Sequence, residues 1–353
     1  MSPIVTSRRG LGVAVVEGRI YAIGGSNSNS RYLGTNEMYD PATDTWTTKA
    51  SMPTPRRDFA IAVYKNKIYC ISGESGYDSE GLGGIYSQVN EVYDPATDTW
   101  ETKASIPTPR YGMCSNVVYG KIYVIGGGLH SAYPINTCCG LNEVYDPETD
   151  TWTKKTPLPI SVLYAASAAV EGIIYVLGGQ GGIFMGGWHD YNMVYDVKND
   201  SWSMAAPIPI GCERAAAGAT TGIYAPKRIY VFGGFTEASC TPQNLTQVYD
   251  PENNVWSSGT EMPTPQAWFD VAVSNDELYA ISGANDKYTP TGYSSSASPP
   301  LSPLPSQEPT SLIEPFTIAL VAVVSGAAVV VGAVLLLYRR SRCKTIQQKY
   351  IDG

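Results

Sequence analysis

The chain has 353 residues, of which 43% are hydrophobic and 16% charged, and its formal net charge is −8. This length and composition are sufficient for one large globular core and further segments beside it. The last fifteen residues hold five bases and one acid, so 19 of the 24 bases and 31 of the 32 acids precede them. That acidic balance repels phosphate backbones and excludes nucleic acid as a partner.

A short apolar segment that ends in glycine occurs six times along the chain. The copies are residues 19–25, 67–73, 121–127, 173–179, 228–234 and 277–283. A second short apolar run precedes each copy, and a tight polar turn such as Glu17-Gly18 joins the two. Runs of this kind, rich in β-branched and aromatic residues and bounded by turn residues, predict a β-hairpin in every copy.

A second element follows the first five copies and ends in tryptophan. Its first copy contains Tyr39-Asp40-Pro41, and its tryptophans are Trp46, Trp100, Trp152, Trp202 and Trp256, spaced by 54, 52, 50 and 54 residues. Asp accepts turn N–H groups and Pro presets φ, so a third strand should turn tightly into a fourth. The fourth copy has Val197 in place of the proline. We expect the repeated aromatic residues to pack between neighbouring repeats.

Four antiparallel strands in a period of about 50 residues predict a β-propeller. The Gly-Gly doublets, the Tyr before Asp-Pro and the later Trp resemble kelch repeats over residues 8–283. The expected fold class is therefore all-β, a kelch-type propeller over residues 1–287. Its predicted blade repeats are 8–56, 57–109, 110–161, 162–212 and 213–265, followed by a half-blade at 266–284.

The sixth repeat lacks the tryptophan element, and no export signal is visible before the first strand. We expect blade six to contain an inner hairpin only, with its outer strands supplied from before residue 1 by a natural beginning that also carries a signal peptide. A five-bladed ring with a spare hairpin, or an open ring with an unpaired edge, is the alternative.

The C-terminal part changes character. Residues 288–315 are rich in Pro and Ser and predict an extended stalk. Residues 316–338 are 23 uncharged positions followed by Arg339-Arg340, which predicts one transmembrane α-helix contacting the lipid bilayer and a basic cytoplasmic tail at 339–353. The expected localisation is a cell membrane, with the chain single-pass and the propeller extracellular. This architecture resembles cell-surface repeat proteins of prokaryotes, among which archaea are one candidate source.

Seven cysteines are present without any Cys-x-x-Cys spacing, which argues against a zinc ribbon or a thioredoxin-like motif. Cys212 precedes the inner strand of repeat five, and Cys240 lies in a long loop of the same repeat. Both should be near one rim of the propeller, so we predict a disulfide between Cys212 and Cys240.

The loops that follow the Gly-Gly doublets vary in length while the strands repeat, which favours them as a binding face. The candidate ligand-binding residues are aromatic or basic: Tyr77, Tyr133, Trp188, His189, Tyr191, Arg56, Arg110 and Arg214. The resemblance to kelch binding modules implies that such arginines hold acidic ligands, whereas a structural role for them is the alternative. Neither a catalytic residue nor a cofactor or metal is predicted, since His130 and His189 are the sole histidines.

These features favour a membrane-anchored binding module that recognises a protein or a glycan through its loop face. Two other hypotheses remain open. One is a sugar-active kelch enzyme resembling galactose oxidase or a sialic-acid mutarotase, and the other is a cytosolic scaffold on a tail-anchored helix.

Overall fold

The computed structural model describes residues 1–77, 84–129, 137–181, 188–237 and 239–296. All of them belong to one compact unit, Met1–Ala297. The predicted spanning segment 316–338, the basic tail and the stalk beyond residue 296 lie outside the described ranges. Within those ranges the structure contains no helix that is long and apolar enough to cross a membrane.

The described residues form strands, and we number them in chain order. Blades one and two contain β1 (Gly12–Val16), β2 (Arg19–Ile23), β3 (Asn36–Asp40), β4 (Thr45–Lys49), β5 (Ala60–Tyr64), β6 (Lys67–Ile71), β7 (Glu74–Tyr77), β8 (Gly84–Tyr86), β9 (Asn90–Asp94) and β10 (Thr99–Lys103). Blades three and four contain β11 (Cys114–Val118), β12 (Lys121–Ile125), β13 (Gly128–Leu129), β14 (Thr137–Cys138), β15 (Asn142–Asp146), β16 (Thr151–Lys154), β17 (Ala166–Val170), β18 (Ile173–Leu177), β19 (Asn192–Asp196) and β20 (Ser201–Met204). Blades five and six contain β21 (Cys212–Glu213), β22 (Ala216–Ala219), β23 (Ile229–Phe232), β24 (Phe235–Thr236), β25 (Thr246–Asp250), β26 (Val255–Ser258), β27 (Asp270–Ser274), β28 (Glu277–Ile281) and β29 (Asn285–Tyr288).

Six antiparallel sheets make a six-bladed β-propeller. Blades one to five are four-stranded, for example in the order β1-β2-β3-β4, while blade six is three-stranded, β27-β28-β29. The innermost strand of each blade packs against the innermost strands of both neighbours, and β27 of the last blade packs against β1 of the first. The ring is therefore closed with six blades, which excludes the five-bladed alternative.

The repeated Tyr and Trp residues hold neighbouring blades together, as the sequence predicts. In blades one to five the third-strand Tyr packs against the fourth-strand Trp at ring-centroid distances of 4.8–5.2 Å. The indole N–H of each Trp then donates to a carbonyl of the preceding segment, as from Trp100 to Ala50 at 2.8 Å and from Trp152 to Ala104 at 2.9 Å. Each aromatic pair thus joins its own blade to the previous one.

The Gly-Gly doublets allow the loop face to be built tightly. Gly24 and Gly25 have φ of 65° and 100°, a region that favours glycine. The N–H of Gly25 donates to the carbonyl of Arg56 in the next blade at 2.9 Å, and a Cβ on Gly24 would lie 2.7 Å from that same oxygen. Glycine is therefore required at Gly24, whereas blade two holds Ser72 at φ 60° in the equivalent position.

Blade six differs from the prediction of an inner hairpin alone. The chain itself supplies a third strand, β29, which pairs with β28 in the register Leu278↔Tyr288. Its residues Asn285-Asp286-Lys287-Tyr288 repeat the Asn-Glu-x-Tyr pattern of the other third strands. The prediction was wrong because it required an Asp-Pro turn and a tryptophan after the third strand. In blade six the third strand occurs without them.

Candidate functional site at the mouth of the central channel

A ring of six backbone hydrogen bonds surrounds the channel axis at the loop face. One residue per blade forms this ring, and all six have left-handed backbone with φ of 52–63°. The residues are Gly10, Asp58, Gly112, Tyr164, Arg214 and Trp268, so four of the six carry a side chain. The N–H of each donates to the carbonyl of the preceding member at 2.8–3.2 Å, and Gly10 donates to Trp268. We call these six residues the axial ring.

The axial ring borders a cavity of about 360 Å³ that is also lined by the innermost strands. Gly10 and Gly112 contribute no side chains, so Asp58, Tyr164, Arg214 and Trp268 form its polar and aromatic rim. We call this rim the channel mouth. Non-glycine residues in left-handed backbone are uncommon and cluster at functional sites, which makes their occurrence at four ring positions notable.

Arg214 occupies the centre of the channel mouth between two aromatic rings. Its guanidinium carbon lies 3.9 Å from the ring centroid of Tyr164 and 4.5 Å from that of Trp268. The side chain also forms an ion pair of 2.6 Å with Glu213. Burial alone would lower the pKa of Arg214, but the negative charge of Glu213 and its other neighbours outweighs this effect and raises it. The mouth therefore keeps a permanent, preoriented cation.

Asp58 supplies a carboxyl group with an unusual proton affinity. Burial raises its pKa to about 6, although the charges of Arg57 and Arg214 act in the opposite direction. Arg57 lies 3.8 Å from Asp58 and 3.0 Å from Glu74, and Tyr32 donates to Glu74 at 2.9 Å. A carboxyl group that titrates near neutrality either donates or accepts a hydrogen bond according to pH.

Aromatic residues extend from the mouth into the surrounding loops. Tyr86 stacks on Tyr111 at 4.8 Å, Tyr111 meets Tyr164 edge-on at 5.6 Å, and Phe235 meets Trp268 edge-on at 4.9 Å. Such rings combine apolar faces with polar edges and are frequent in binding surfaces. Tyr111 and Phe235 are 5% and 0% exposed, so they support the mouth from behind, and the channel mouth itself can hold a ligand that carries both an acidic and an apolar group.

The family models identify the repeats. The model of the KLHDC2/KLHL20/DRC7 Kelch-repeats domain matches residues 2–160, and that of the Kelch motif matches residues 162–209 and 225–263. Together these matches cover well over half of the chain.

The chain is a kelch-repeat β-propeller protein.

Curated relatives agree with this family. Kelch-like protein 36 of Bos taurus is 27% identical over 268 residues, which cover 74% of this chain and 41% of the relative. Alpha-scruin of Limulus polyphemus is 29% identical over 48% of this chain and 19% of its own length. Kelch-like protein terF of Aspergillus terreus is 31% identical over 51% of this chain and 40% of its own length. The chain thus spans less than half the length of these relatives.

Among solved structures, the kelch propeller is similar to the one titled "Structure of YjhT". The TM-score is 0.67 at 18% sequence identity, and the match covers 82% of this chain and 95% of that one. At this identity the likeness concerns the fold alone.

The kelch propeller places its predicted ligand-binding residues in different surroundings. Arg214 lies in the channel mouth. Tyr77 is 37% exposed at the end of β7, with the guanidinium of Arg31 4.7 Å from its ring centroid. His189 stacks on Tyr191 at 4.5 Å. Trp188 forms a β-bridge with Gln180. Tyr133 and His130 lie outside the described residues.

The structure contradicts the prediction that Arg56 and Arg110 hold a ligand. Each side chain is 0% exposed and pairs with a carboxylate of its own blade, Glu91 or Glu143. Arg110 also donates to the carbonyls of Gly126 and Val124, at 2.8 and 2.9 Å. Their donors are directed into the blade, so these arginines are structural.

The sequence carried a signal for this role. Arg8, Arg56 and Arg110 occur in the three repeats whose third strand has a Glu after its first Asn, and Arg8 pairs with Glu37 at 2.5 Å. Repeat four has lost both partners together and holds Val162 and Met193 instead. Paired retention and paired loss indicate contact between the two positions.

The predicted disulfide is also not formed. Cys212 is a free thiol, 1% exposed, in the apolar cluster between blades four and five that includes Leu177 and Ile208. Cys212 also begins β21, which pairs with β24. Cys70, Cys114, Cys138 and Cys139 are likewise free and buried. No group of three or more His, Cys, Asp or Glu side chains among the described residues is arranged to hold a metal ion.

The sequence analysis did not identify Asp58, Tyr164 or Trp268. They occupy the position two residues after the arginine of the repeats, which reads Gly, Asp, Gly, Tyr, Arg and Trp in blades one to six. The neighbouring positions also vary between the repeats, so the sequence gives no signal that singles out this one. It was missed because a strand pattern does not show which residues point toward the axis.

Proposed function

We propose that this kelch propeller is a binding module that holds a segment of a partner protein at the channel mouth. Kelch propellers are a generally protein-binding family. The observation that carries the proposal is the guanidinium of Arg214 held between Tyr164 and Trp268 on the axial ring. Aromatic and arginine side chains in one central, largely desolvated position are typical of the strongest contributors to protein interfaces.

The ligand chemistry follows from the charges at the mouth. Arg214 and Arg57 offer guanidinium groups, whereas Asp58, Glu74 and Glu213 partly neutralise them. A strongly charged ligand of either sign would therefore meet opposing charges. A peptide with a single carboxylate beside an aromatic or aliphatic side chain fits this arrangement better.

A glycan is the second candidate ligand. Tyr77 is exposed beside Tyr32, with ring centroids 6.3 Å apart, and these phenols lie on the same loop face. Tyrosine rings combine an apolar face with a hydroxyl group, which suits the two surfaces of a sugar ring.

We further propose that the propeller is tethered to a cell membrane by residues 316–338 and faces outward. The described chain ends at the face opposite to the channel mouth: Ser294 N–H donates to the carbonyl of Tyr224 at 2.7 Å, and Tyr293 packs near Tyr224 at 6.3 Å. Tyr224 lies in the connection between β22 and β23, at the strand ends away from the loop face. The last described residues therefore pack on the side of the propeller away from the channel mouth.

Affinity capture on the immobilised full chain tests the binding proposal. Trp268→Ala should reduce capture of the partner at least tenfold, because it removes one of the two rings that orient Arg214. Tyr119→Ala is the matched control, since Tyr119 is 70% exposed in the turn between β11 and β12 on the opposite face. Equal capture by both variants would contradict the proposal, and capture of glycans without proteins would favour the second candidate.

Protease treatment of intact cells tests the tether. An outward-facing propeller should be cleaved without permeabilising the cells. Complete protection that is lost on permeabilisation would instead favour the cytosolic scaffold.

A further inference from the structure

A single carboxyl group lies along the central channel below the axial ring. The five residues that follow the ring in each blade are 11–15, 59–63, 113–117, 165–169, 215–219 and 269–273, and Asp270 is the one charged residue among them. Asp270 begins β27 and is half-buried. Its side chain belongs to the lining of the channel cavity, so a molecule in that cavity would meet it.

Backbone groups alone hold the Asp270 side chain in place. Its Oδ2 accepts the N–H of Val13 in blade one at 2.8 Å, and its Oδ1 accepts the N–H of Val271 at 2.8 Å. Among the described residues Asp270 forms no ion pair. A carboxylate has about four acceptor sites, so these two N–H groups leave capacity for a ligand.

The surroundings of Asp270 do not compensate its charge. Burial raises its pKa, and only the two N–H groups act in the opposite direction, so the charged residues of the channel mouth do not alter it. The neighbouring innermost strands β1 and β22 contain no charged residue. Glu277, at the far end of β28, pairs with Lys287 at 2.7 Å. A cation bound beside Asp270 would therefore stabilise its ionised form.

The cavity beside Asp270 has the size and lining for a small organic molecule. Its volume of about 360 Å³ falls within the range of ligand pockets. On the side of Asp270 the lining is apolar and includes Leu11 and Phe269. On the side of blades four and five it consists of residues 165–169 and 215–219, where no side chain is larger than that of serine. The organic part of a ligand thus has apolar contacts on one side and room on the other.

One carboxyl group suits an organic ammonium better than a metal ion. Hard divalent cations take about six or more oxygen ligands, whereas an ammonium group has only three N–H donors to satisfy. In the part of the chain that the structure describes, no three His, Cys, Asp or Glu side chains converge on a metal position. The 31 acids and 19 bases that precede the last fifteen residues also favour a cationic ligand over an anionic one.

We propose that the channel below the mouth is a binding site for a small organic amine, whose ammonium group pairs with the Asp270 carboxylate. The ammonium donates to the acceptor sites that Val13 and Val271 leave open. The apolar part of the amine packs against Leu11 and Phe269 and extends toward blades four and five. This site lies inside the channel and does not depend on capture of a partner segment at the mouth.

Benzylamine is the probe, and benzyl alcohol is its uncharged control ligand. Titration calorimetry on the full chain near pH 8 should show saturable binding of benzylamine and at least about tenfold weaker binding of benzyl alcohol, equivalent to about 1.4 kcal/mol. Asp270→Asn should weaken benzylamine to the level of the alcohol. Glu252→Gln is the matched control variant, because Glu252 is exposed in the outer turn of blade five and loses the same charge. It should bind benzylamine as the native chain does.

The pH dependence on the native chain keeps the test decisive if Asp270→Asn fails to fold. The pKa of Asp270 is about 6, so affinity for benzylamine should fall as the pH is lowered through that value, because protonation removes the charge that holds the ammonium. Affinity for benzyl alcohol should not change in the same range. Absence of saturable binding, equal affinity for the two ligands, or an affinity for benzylamine independent of pH would overturn the proposal. Tighter binding of calcium ions than of benzylamine at this site would also overturn it.

Discussion

Replacing Arg110 by valine should destabilise the propeller more than any exposed charge substitution. The Arg110 and Glu143 side chains are 0% and 1% exposed. Without the guanidinium, the Glu143 carboxylate would keep one described partner, the Thr108 hydroxyl at 2.9 Å. The carbonyls of Gly126 and Val124 would also lose a donor. Removing one member of a buried ion pair costs about 3–5 kcal/mol, because an uncompensated charge remains.

Removing both charges together should cost much less. Blade four holds the apolar pair Val162 and Met193 at these positions, 1% and 0% exposed, so this fold accommodates an uncharged version. The double variant Arg110→Val with Glu143→Met copies that pair. Replacing a buried ion pair by apolar residues of suitable size is often neutral or stabilising. We therefore expect a coupling of at least about 2 kcal/mol between the two positions.

Urea unfolding followed by tryptophan fluorescence measures the effect. The apparent free energy of unfolding should fall for Arg110→Val and for Glu143→Met and should largely recover in the double variant. Arg19→Met is the matched control, since the Arg19 side chain is 47% exposed beside Asp40, and it should change stability by less than about 1 kcal/mol. A double variant whose loss equals the sum of the single losses would refute the reasoning.

Three more predictions concern stability and reactivity. Burial raises the pKa of Asp270 to about 6, above the value of about 3.9 in an unfolded chain, so its stabilising contribution is complete below pH 4 and is lost as the pH rises through 6. Asp270→Asn should therefore reduce the loss of stability between pH 4 and 6 by up to about 3 kcal/mol, measured by urea unfolding at each pH, and an unchanged slope would contradict this assignment. Trp100→Phe should lower stability by about 1 kcal/mol in the same assay through loss of the indole bond to Ala50, and a neutral outcome would show that this bond does not hold the blades together. Burial raises the pKa of the Cys70, Cys114 and Cys212 thiols to about 12, so a thiol reagent at pH 8 should modify them only after denaturation, and rapid labelling of the native chain would disprove their burial.

The blades could be predicted from sequence because the pattern and the local physics agree. Residues 67–71 predict a strand by their apolar character, and the turn Lys65-Asn66 allows positive φ, with observed values of 46° and 59°. The same turn and strand pattern recurs at a fixed period. A repeat that departs from the pattern, such as the one with Val197 in place of proline, can therefore still be assigned from its position in the period. Strand β29 was not predicted because its repeat lacks the tryptophan by which the third and fourth strands of the other repeats were recognised.

The site was harder to predict because it depends on positions that come together only when the ring closes. Asp58 and Trp268 are 210 residues apart in the sequence, yet both belong to the axial ring. Arg56 was selected for its charge, although burial and Glu91 determine its role. Arg214 was predicted as a ligand-binding residue of the loop face, which stays a prediction, and the sequence could not show that Tyr164 and Trp268 flank it.

Photo-crosslinking from single positions tests the central proposal, ligand binding at the channel mouth, most directly. A photoreactive phenylalanine analogue would replace Trp268 at the mouth, Tyr77 on the loop face, or Tyr119 on the opposite face of the full chain. We predict that ligand is crosslinked from positions 268 and 77 and not from 119. Crosslinking from position 119 alone would contradict binding at the channel mouth.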